Sequence, residues 1–431
     1  MRSIRNYVVL AGGLTLAACG GDTSPQTVGS VAPPSGGGTP APTDSYSQFV
    51  NPVEARSYTG IGGVQVYEYT TDSRNCCDQQ GQIYSGEAST VRNSEIAVAY
   101  DPRSAIFTLT INDPKSGAAA GTRFQDPAAR TNFGGAQQPQ WGVPNLNGLP
   151  AGAAANPDVQ YLQAGDGDPR APYSWSGTGF VDPGDNDTAP NGEVGSSYTS
   201  TTLFYEKPGT NTRYVSLAGY VRNALGFEEV TVGGTTIKQT RWHLERGAFA
   251  YGVQTSNGAV PTSGSGSYSG NMLATMVYNP TFDGDMGAVL PTYFQWLSGR
   301  SNVSVNFATG NLTLSLAGIV LDPYYDHETG PQTAFVTAGS SFTGSGTARI
   351  DLAGTGGFIG SFADGGNFVF TAPAGFTFAN GAREISVNVA GSSIDGAFFG
   401  PNGEEIGGGF RVVGGIPDQR VDILGAFTGK R

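Results

Sequence analysis

A chain of 431 residues with 66 glycines, 26 prolines and only 13% charged residues has room for two domains with substantial cores, but little of the composition that builds helices. Its net charge of −12 excludes a nucleic-acid partner, because neutralising phosphates takes clustered Lys and Arg, and it excludes adhesion to anionic lipid through a basic patch. Apolar residues seldom recur at helical spacing without Gly, Pro or β-branched interruption, so the fold class expected is all-β.

In chain order, Arg2 and Arg5 precede an apolar run over residues 7–18 that ends in Leu16-Ala17-Ala18-Cys19-Gly20. The run is shorter than the roughly 20 apolar residues of a membrane-spanning helix and reads as a signal peptide over 1–18. A cysteine directly after Leu-Ala-Ala resembles the lipobox of bacterial lipoproteins, which implies an acylated Cys19 and stable anchoring by several acyl chains. Gly20 at the following position resembles the outer-membrane sorting pattern. Residues 19–47 hold Gly, Pro, Ser and Thr with almost no large apolar group, so the lipidated cysteine is expected to lead into a flexible tether with a reach of about 30 Å.

Residues 48–260 are expected to form a β-rich domain, with strands over 64–71, 94–101, 105–112, 201–207, 213–222 and 236–245. Phe107, Leu109 and Ile111 alternate with Thr108 and Thr110, the period of a sheet with one buried face. Once Cys19 is acylated, the remaining cysteines are Cys76 and Cys77. Neighbouring Cα atoms about 3.8 Å apart fall below the usual disulfide range, so a strained vicinal bridge on a loop tip, a reduced pair and intermolecular pairing all remain open. The stretch from about 115 to 200 is rich in Gly, Pro, Ala, Asn and Asp and reads as a long irregular insertion, stapled or made adhesive by Trp141, Tyr161, Tyr173, Trp175 and Phe180. Its acidic turns, Asp166-Gly167-Asp168 and Asp182 to Asp187, lack the glycine and glutamate spacing of an EF-hand and read as solvated turns.

From residue 261 to 431 the rhythm becomes regular. Strands are expected over 268–278, 293–297, 303–308, 312–321, 341–352, 366–371, 383–389, 394–399, 405–413 and 421–427. Val303, Val305 and Phe307, then Leu312, Leu314 and Leu316, alternate with polar residues on either side of a turn at Gly310-Asn311. Short turns and one apolar face imply a closed antiparallel barrel of about eight strands, which removes the exposed edges; a membrane-spanning barrel is the alternative architecture. Near the end, Gly396-Ala397-Phe398-Phe399-Gly400-Pro401-Asn402-Gly403-Glu404-Glu405-Ile406-Gly407-Gly408-Gly409-Phe410 reads as a hairpin whose glycines serve curvature, with Glu404 and Glu405 solvating the turn.

Chemistry is sparse. The chain has two histidines, His243 and His327, no HExxH and no Gly-x-Ser-x-Gly elbow, so no enzymatic activity is expected. Tyr324-Tyr325-Asp326-His327-Glu328 follows a strand and Pro323, placing phenols and an imidazole on one loop. Such groups ligate haem or ferric iron, which makes Tyr324, Tyr325 and His327 the candidate ligand-binding residues; the other reading is a polar loop packed on the barrel mouth.

The run 396–410, Gly264-Ser265-Gly266-Ser267-Tyr268-Ser269-Gly270, Val303-Ser304-Val305-Asn306-Phe307 with Thr309-Gly310, and Phe342-Thr343-Gly344 together resemble the C-terminal barrel domain of transferrin-binding protein B and related surface lipoproteins. The resemblance covers about the last 170 residues. It implies an N-terminal handle domain over 48–260, a C-terminal eight-stranded antiparallel β-barrel over 261–431, and carriage to the cell surface by a surface lipoprotein assembly modulator. It further implies capture of a protein or haem ligand for a TonB-dependent receptor at the outer membrane, with haem or iron as cargo and no resident cofactor. Transferrin-binding members have two such lobes, and this chain reads as one. An adhesive or structural cell-surface lipoprotein without a transport role is the second reading.

Overall fold

The computed structural model describes residues 56–72, 75–83, 96–101, 106–112, 119–125, 158–165, 198–279, 293–324, 335–362, 367–378, 380–416 and 419–431. The expected signal peptide over 1–18, Cys19 and the expected tether over 19–47 lie outside the described residues, as do Asp166-Gly167-Asp168 and Asp182 to Asp187. The architecture is all-β: an N-terminal sheet and a closed C-terminal barrel.

The N-terminal sheet is built from β1 (Arg56–Asp72), β2 (Asn75–Ile83), β3 (Ile96–Asp101), β4 (Ile106–Asn112), β5 (Ala119–Gln125), β6 (Val159–Gly165), β7 (Tyr198–Glu206), β8 (Val215–Val232) and β9 (Thr235–Gly252). Its order is β5-β4-β3-β1-β9-β8-β7-β6, with β2 paired to the far end of β1. The edge strands β5 and β6 approach each other, which curls the sheet into a half-barrel. Its concave face is closed by aromatic rings: Tyr58, Tyr100, Phe107, Phe124, Tyr205, Tyr220, Phe249 and Tyr251 are all buried. Burial pushes the Tyr58 phenol up to about 12, and Tyr220 and Tyr251 are raised for the same reason, so these rings stay neutral packing elements.

The barrel comprises β10 (Ser265–Asn279), β11 (Tyr293–Asn306), β12 (Asn311–Tyr324), β13 (Ser341–Asp351), β14 (Gly357–Ser361), β15 (Asn367–Thr371), β16 (Glu384–Ser386), β17 (Asn388–Phe399), β18 (Glu405–Ile416) and β19 (Gln419–Lys430). Eight strands close a ring in the order β13-β12-β11-β10-β19-β18-β17-β14-β13. β15 joins the first half of β13, Ser341 to Ser345, and carries β16 at its side. Inside, Tyr268, Phe342, Phe358, Phe368, Phe398, Phe410 and Phe427 belong to one buried cluster that fills the barrel with side chains. Outside, Asn302, Ser304, Asn306, Thr313 and Ser315 are exposed on β11 and β12. A lipid-facing barrel needs an apolar outer band, so this wall corrects the membrane-spanning alternative.

The expected strands differ from the observed ones where cross-strand pairing overrides local signals. The polar, glycine-containing stretch Ser298-Gly299-Arg300-Ser301-Asn302 was expected to interrupt a strand, yet it runs through β11 because β10 and β12 pair with it on both sides. β5 and β6 fall inside the stretch expected to be irregular, and β14 falls in a Gly-rich stretch that carried no strand signal. Cys76 and Cys77 lie on β2 rather than on a loop tip.

The half-barrel and the barrel share a packed seam. Phe204, Leu217 and Ala248 meet Leu273, Trp296 and Ala426, while Ile61, Val215 and Ala250 meet Ala397 and Phe399. Each large apolar side chain buried there contributes about 1.5–3 kcal/mol, which makes the apolar contact the main adhesive. Polar groups fix its register: the Gln65 amide donates to Asp422 O at 3.0 Å, and the Thr275 hydroxyl donates to Gln65 Oε1 at 2.6 Å. The chain crosses over by a strand-like step in which the Thr255 and Gly400 amides donate to Phe398 O and Val253 O at 2.8 and 3.0 Å.

Candidate functional site

The two ends of the barrel differ. At one end the connections are tight: residues 307–310 join β11 to β12, 352–356 join β13 to β14, and 400–404 join β17 to β18. Gly310, Gly356, Gly400 and Gly403 have φ between 70° and 87° there, backbone that only glycine adopts without strain. At the other end three connections are long, 280–292, 325–340 and 372–383, beside the two-residue connection 417–418 between β18 and β19. Rigid strands presenting long loops at one end form the usual arrangement of a binding surface.

Three aromatic rings cap the core beneath that long-loop end. Tyr278 stacks on Phe335 with centroids 5.5 Å apart, and Phe335 stacks on Phe378 at 6.5 Å. Burial raises the Tyr278 phenol well above its ordinary range, so it caps as a neutral ring. Gln295 ties the segment after the second long loop to the barrel, donating from Nε2 to Leu321 O at 3.1 Å and Val336 O at 2.9 Å. The 372–383 loop holds its own shape, with amide bonds from Phe376 to Pro373 O, Gly381 to Phe378 O and Phe378 to Ala382 O at 2.8–3.0 Å. That loop presents Phe376, 65% exposed, the most exposed large apolar residue in the described structure.

A second element reaches the same end. Along the seam β10 and β8 advance in step: Asn271 meets Glu206, which neighbours the Tyr205↔Ala218 pair, and Thr275 meets Gln65, which is paired through Arg246 to Val221. β10 ends four residues beyond Thr275, at Asn279, whereas β8 runs eleven residues beyond Val221, to Val232. At about 3.3 Å per residue, the β8–β9 hairpin overshoots the barrel strand by roughly 23 Å. Its tip, Val232-Gly233-Gly234-Thr235, is exposed, with both glycines at positive φ. The last turn of β1 and the start of β2 lie along the same arm through the Asp72↔Gln239 and Asp72↔Asn75 pairs.

The residues singled out in the sequence fall as follows. Tyr324 is the last residue of β12, paired with Phe294, and not part of a loop; Pro323 sits in the strand opposite Gln295, beside a register shift. Tyr325 and His327 lie outside the described residues, in the connection that follows β12. The structure therefore places the Tyr324 backbone at the long-loop end. His243 lies on β9. Among the described residues no group of three His, Cys, Asp or Glu side chains is positioned to hold a metal ion.

The closing hairpin holds a residue whose role the sequence concealed. Glu405 is buried and does not solvate the turn: Oε1 accepts from the Arg213 amide at 2.6 Å, and Oε2 accepts from the Tyr214 and Val215 amides at 2.7 and 3.1 Å. Burial pushes its carboxyl up, with the three amides and Lys430 pulling it back. Glu404 accepts from the Asn402 amide and side chain at 2.8 and 3.0 Å, which shapes the turn. The only signal available beforehand was a pair of acids next to a turn, which reads as solvent exposure.

The eight-stranded barrel is closed and its interior is filled by side chains, which leaves its ends and outer wall as the accessible surface. Residues 260–431 match the family model described as the C-lobe and N-lobe beta barrels of Tf-binding protein B, and the barrel is similar to those domains. Similar solved structures include a single-site mutant of transferrin-binding protein B from Haemophilus parasuis Hp5, at 14% identity over 86% of this chain and 76% of that one, with a TM-score of 0.26. Intact Ap-TbpB, with N and C lobes, is 13% identical over 88% and 77%, with a TM-score of 0.27. The isotype 1 protein from serogroup B Neisseria meningitidis is 12% identical over 88% and 77%, with a TM-score of 0.22. No curated protein sequence matches the chain.

Proposed function

We propose that this chain is a surface-facing outer-membrane lipoprotein that captures an iron-bearing host protein or haem and delivers the nutrient to a TonB-dependent receptor. In this reading Cys19 is acylated and a tether over 19–47 lets the folded body stand off the membrane, with a handle domain over 48–260 and the barrel over 261–431. A surface lipoprotein assembly modulator carries it outward. The observation that carries the reading is the filled barrel with asymmetric ends: a ligand has no room inside, so the long loops and the overshooting β8–β9 arm are the available capture surface. The match of residues 260–431 to the barrels of Tf-binding protein B supports a protein ligand. Tyr324, Tyr325 and His327 belong to the capture surface in this reading, as contacts or as haem ligands.

The test is affinity capture with the immobilised full-length lipoprotein, offered host serum and, separately, haem. Retention of an iron-carrying protein or of haem, with expression that rises under iron starvation, is the expected result. Retention of neither, with expression indifferent to iron, overturns the nutrient reading.

A further inference from the structure

We propose that Glu206 and Asn271 form a proton-dependent latch between the N-terminal sheet and the barrel, closed while the Glu206 carboxyl is neutral and loosened when it ionises. The latch concerns the seam and is independent of what the long-loop end captures. Glu206 is the last residue of β7, and its Oε1 accepts from Asn271 Nδ2 of β10 at 2.5 Å. Its Oε2 is buried and has no hydrogen-bond partner among the described residues. The backbone of the same residue is held within the sheet, where the Ser216 hydroxyl donates to Glu206 O.

The groups facing this carboxyl come from every neighbouring element. Asn271 comes from β10, Arg300 from β11, Asn211 from the β7–β8 loop, and Asp158 from the residue before β6. Arg300 is exposed, so solvent screens its attraction, while Asp158 repels a negative charge. An ionised Glu206 places a charge in a buried site where, among the described residues, Oε2 accepts no hydrogen bond, and the neutral acid carries no such charge. Burial pushes its carboxyl up, opposed by Asn271, Asn211 and Arg300. A carboxyl whose folded value lies above its unfolded value contributes stability that is complete below the unfolded value and is lost as pH rises through the folded one. The seam is tight in acid and slackens as pH rises.

Glu405 marks the contrast. Both of its oxygens receive amide donors, so its ionised form is satisfied and it serves as the fixed anchor of the same loop. Residues 207–214 are thus held against the barrel by the Glu206–Asn271 contact at one end and by three amide bonds to Glu405 at the other. Loosening the first frees the loop and the adjoining edge-to-face contact between Phe204 and Trp296, whose centroids are 5.8 Å apart.

Hydrogen–deuterium exchange of the full-length protein tests this, reading the protection of amides 207 and 209–212, which do not bond Glu405, against the internal reference of barrel amides 303–316, so that intrinsic rates cancel. The expected ratio falls as pH rises from acid to neutral, roughly tenfold for each unit by which the Glu206 carboxyl is raised. Glu206→Gln gives a flat ratio at the acid level of the wild type. A fall in Glu206→Gln parallel to the wild type overturns the latch. Asn271→Asp serves where Glu206→Gln fails to fold: two carboxyls at this contact share a proton and steepen the dependence, and an unchanged slope overturns the proposal.

Discussion

Glu405 gains its partners from amides 190 to 192 positions earlier in the chain, and its local context gives no hint of them. Replacing it by Ala leaves the amides of exposed Arg213, half-buried Tyr214 and buried Val215 without their acceptor, so Glu405→Ala is expected to cost about 2 kcal/mol of unfolding free energy. Urea denaturation checks this, with Glu404→Ala as a control expected to stay within about 1 kcal/mol, because Glu404 serves only the turn. The Glu405 role was illegible because its burial is created by the N-terminal sheet and not by its own strand. The opposite holds at Val303, Val305, Leu312 and Leu314: each is buried as its alternation with polar neighbours required, since neighbours in sequence decide which face a strand residue takes.

At the scale of elements, hairpin chemistry was readable and strand length was not. Pro401, Asn402 and Gly403 form the turn expected of them, and Phe399↔Glu405 closes the ladder. The glycines of its arms were readable as special but for a different reason, since a Cβ on Gly396 would lie 2.0 Å from the Phe358 ring of β14 and one on Gly407 would lie 2.8 Å from Val215 of β8. Close approach by a ring and by the neighbouring sheet, in addition to curvature, requires them. Gly396→Val is therefore expected to destabilise the barrel by about 1–3 kcal/mol, measured as a lowered urea midpoint with an unchanged m-value. An unaltered midpoint would mean that Phe358 moves aside freely. β14 and β5 escaped notice because short strands flanked by glycine or proline take their order from the ladder beside them.

At the scale of the whole molecule, the three long connections of the barrel and the β8–β9 arm share an end, while the turns at 307–310, 352–356 and 400–404 and the crossover occupy the other. In the proposed reading an acylated Cys19 and its tether hold that body at the membrane. Cys19→Ala is expected to shift the protein from the membrane fraction to the soluble fraction, and protease added to intact cells is expected to digest the wild-type body; survival of the wild type in intact cells but not in lysates would place it facing the periplasm. The most direct test of the capture surface compares two surface substitutions at opposite ends in one affinity measurement, using the ligand retained by the full-length lipoprotein. Phe376→Asp at the long-loop end is expected to weaken retention by about tenfold or more, as loss of an exposed aromatic anchor does, while Asn402→Arg at the tight-turn end leaves it unchanged. Equal retention by Phe376→Asp and the wild type, or loss confined to Asn402→Arg, would contradict the account.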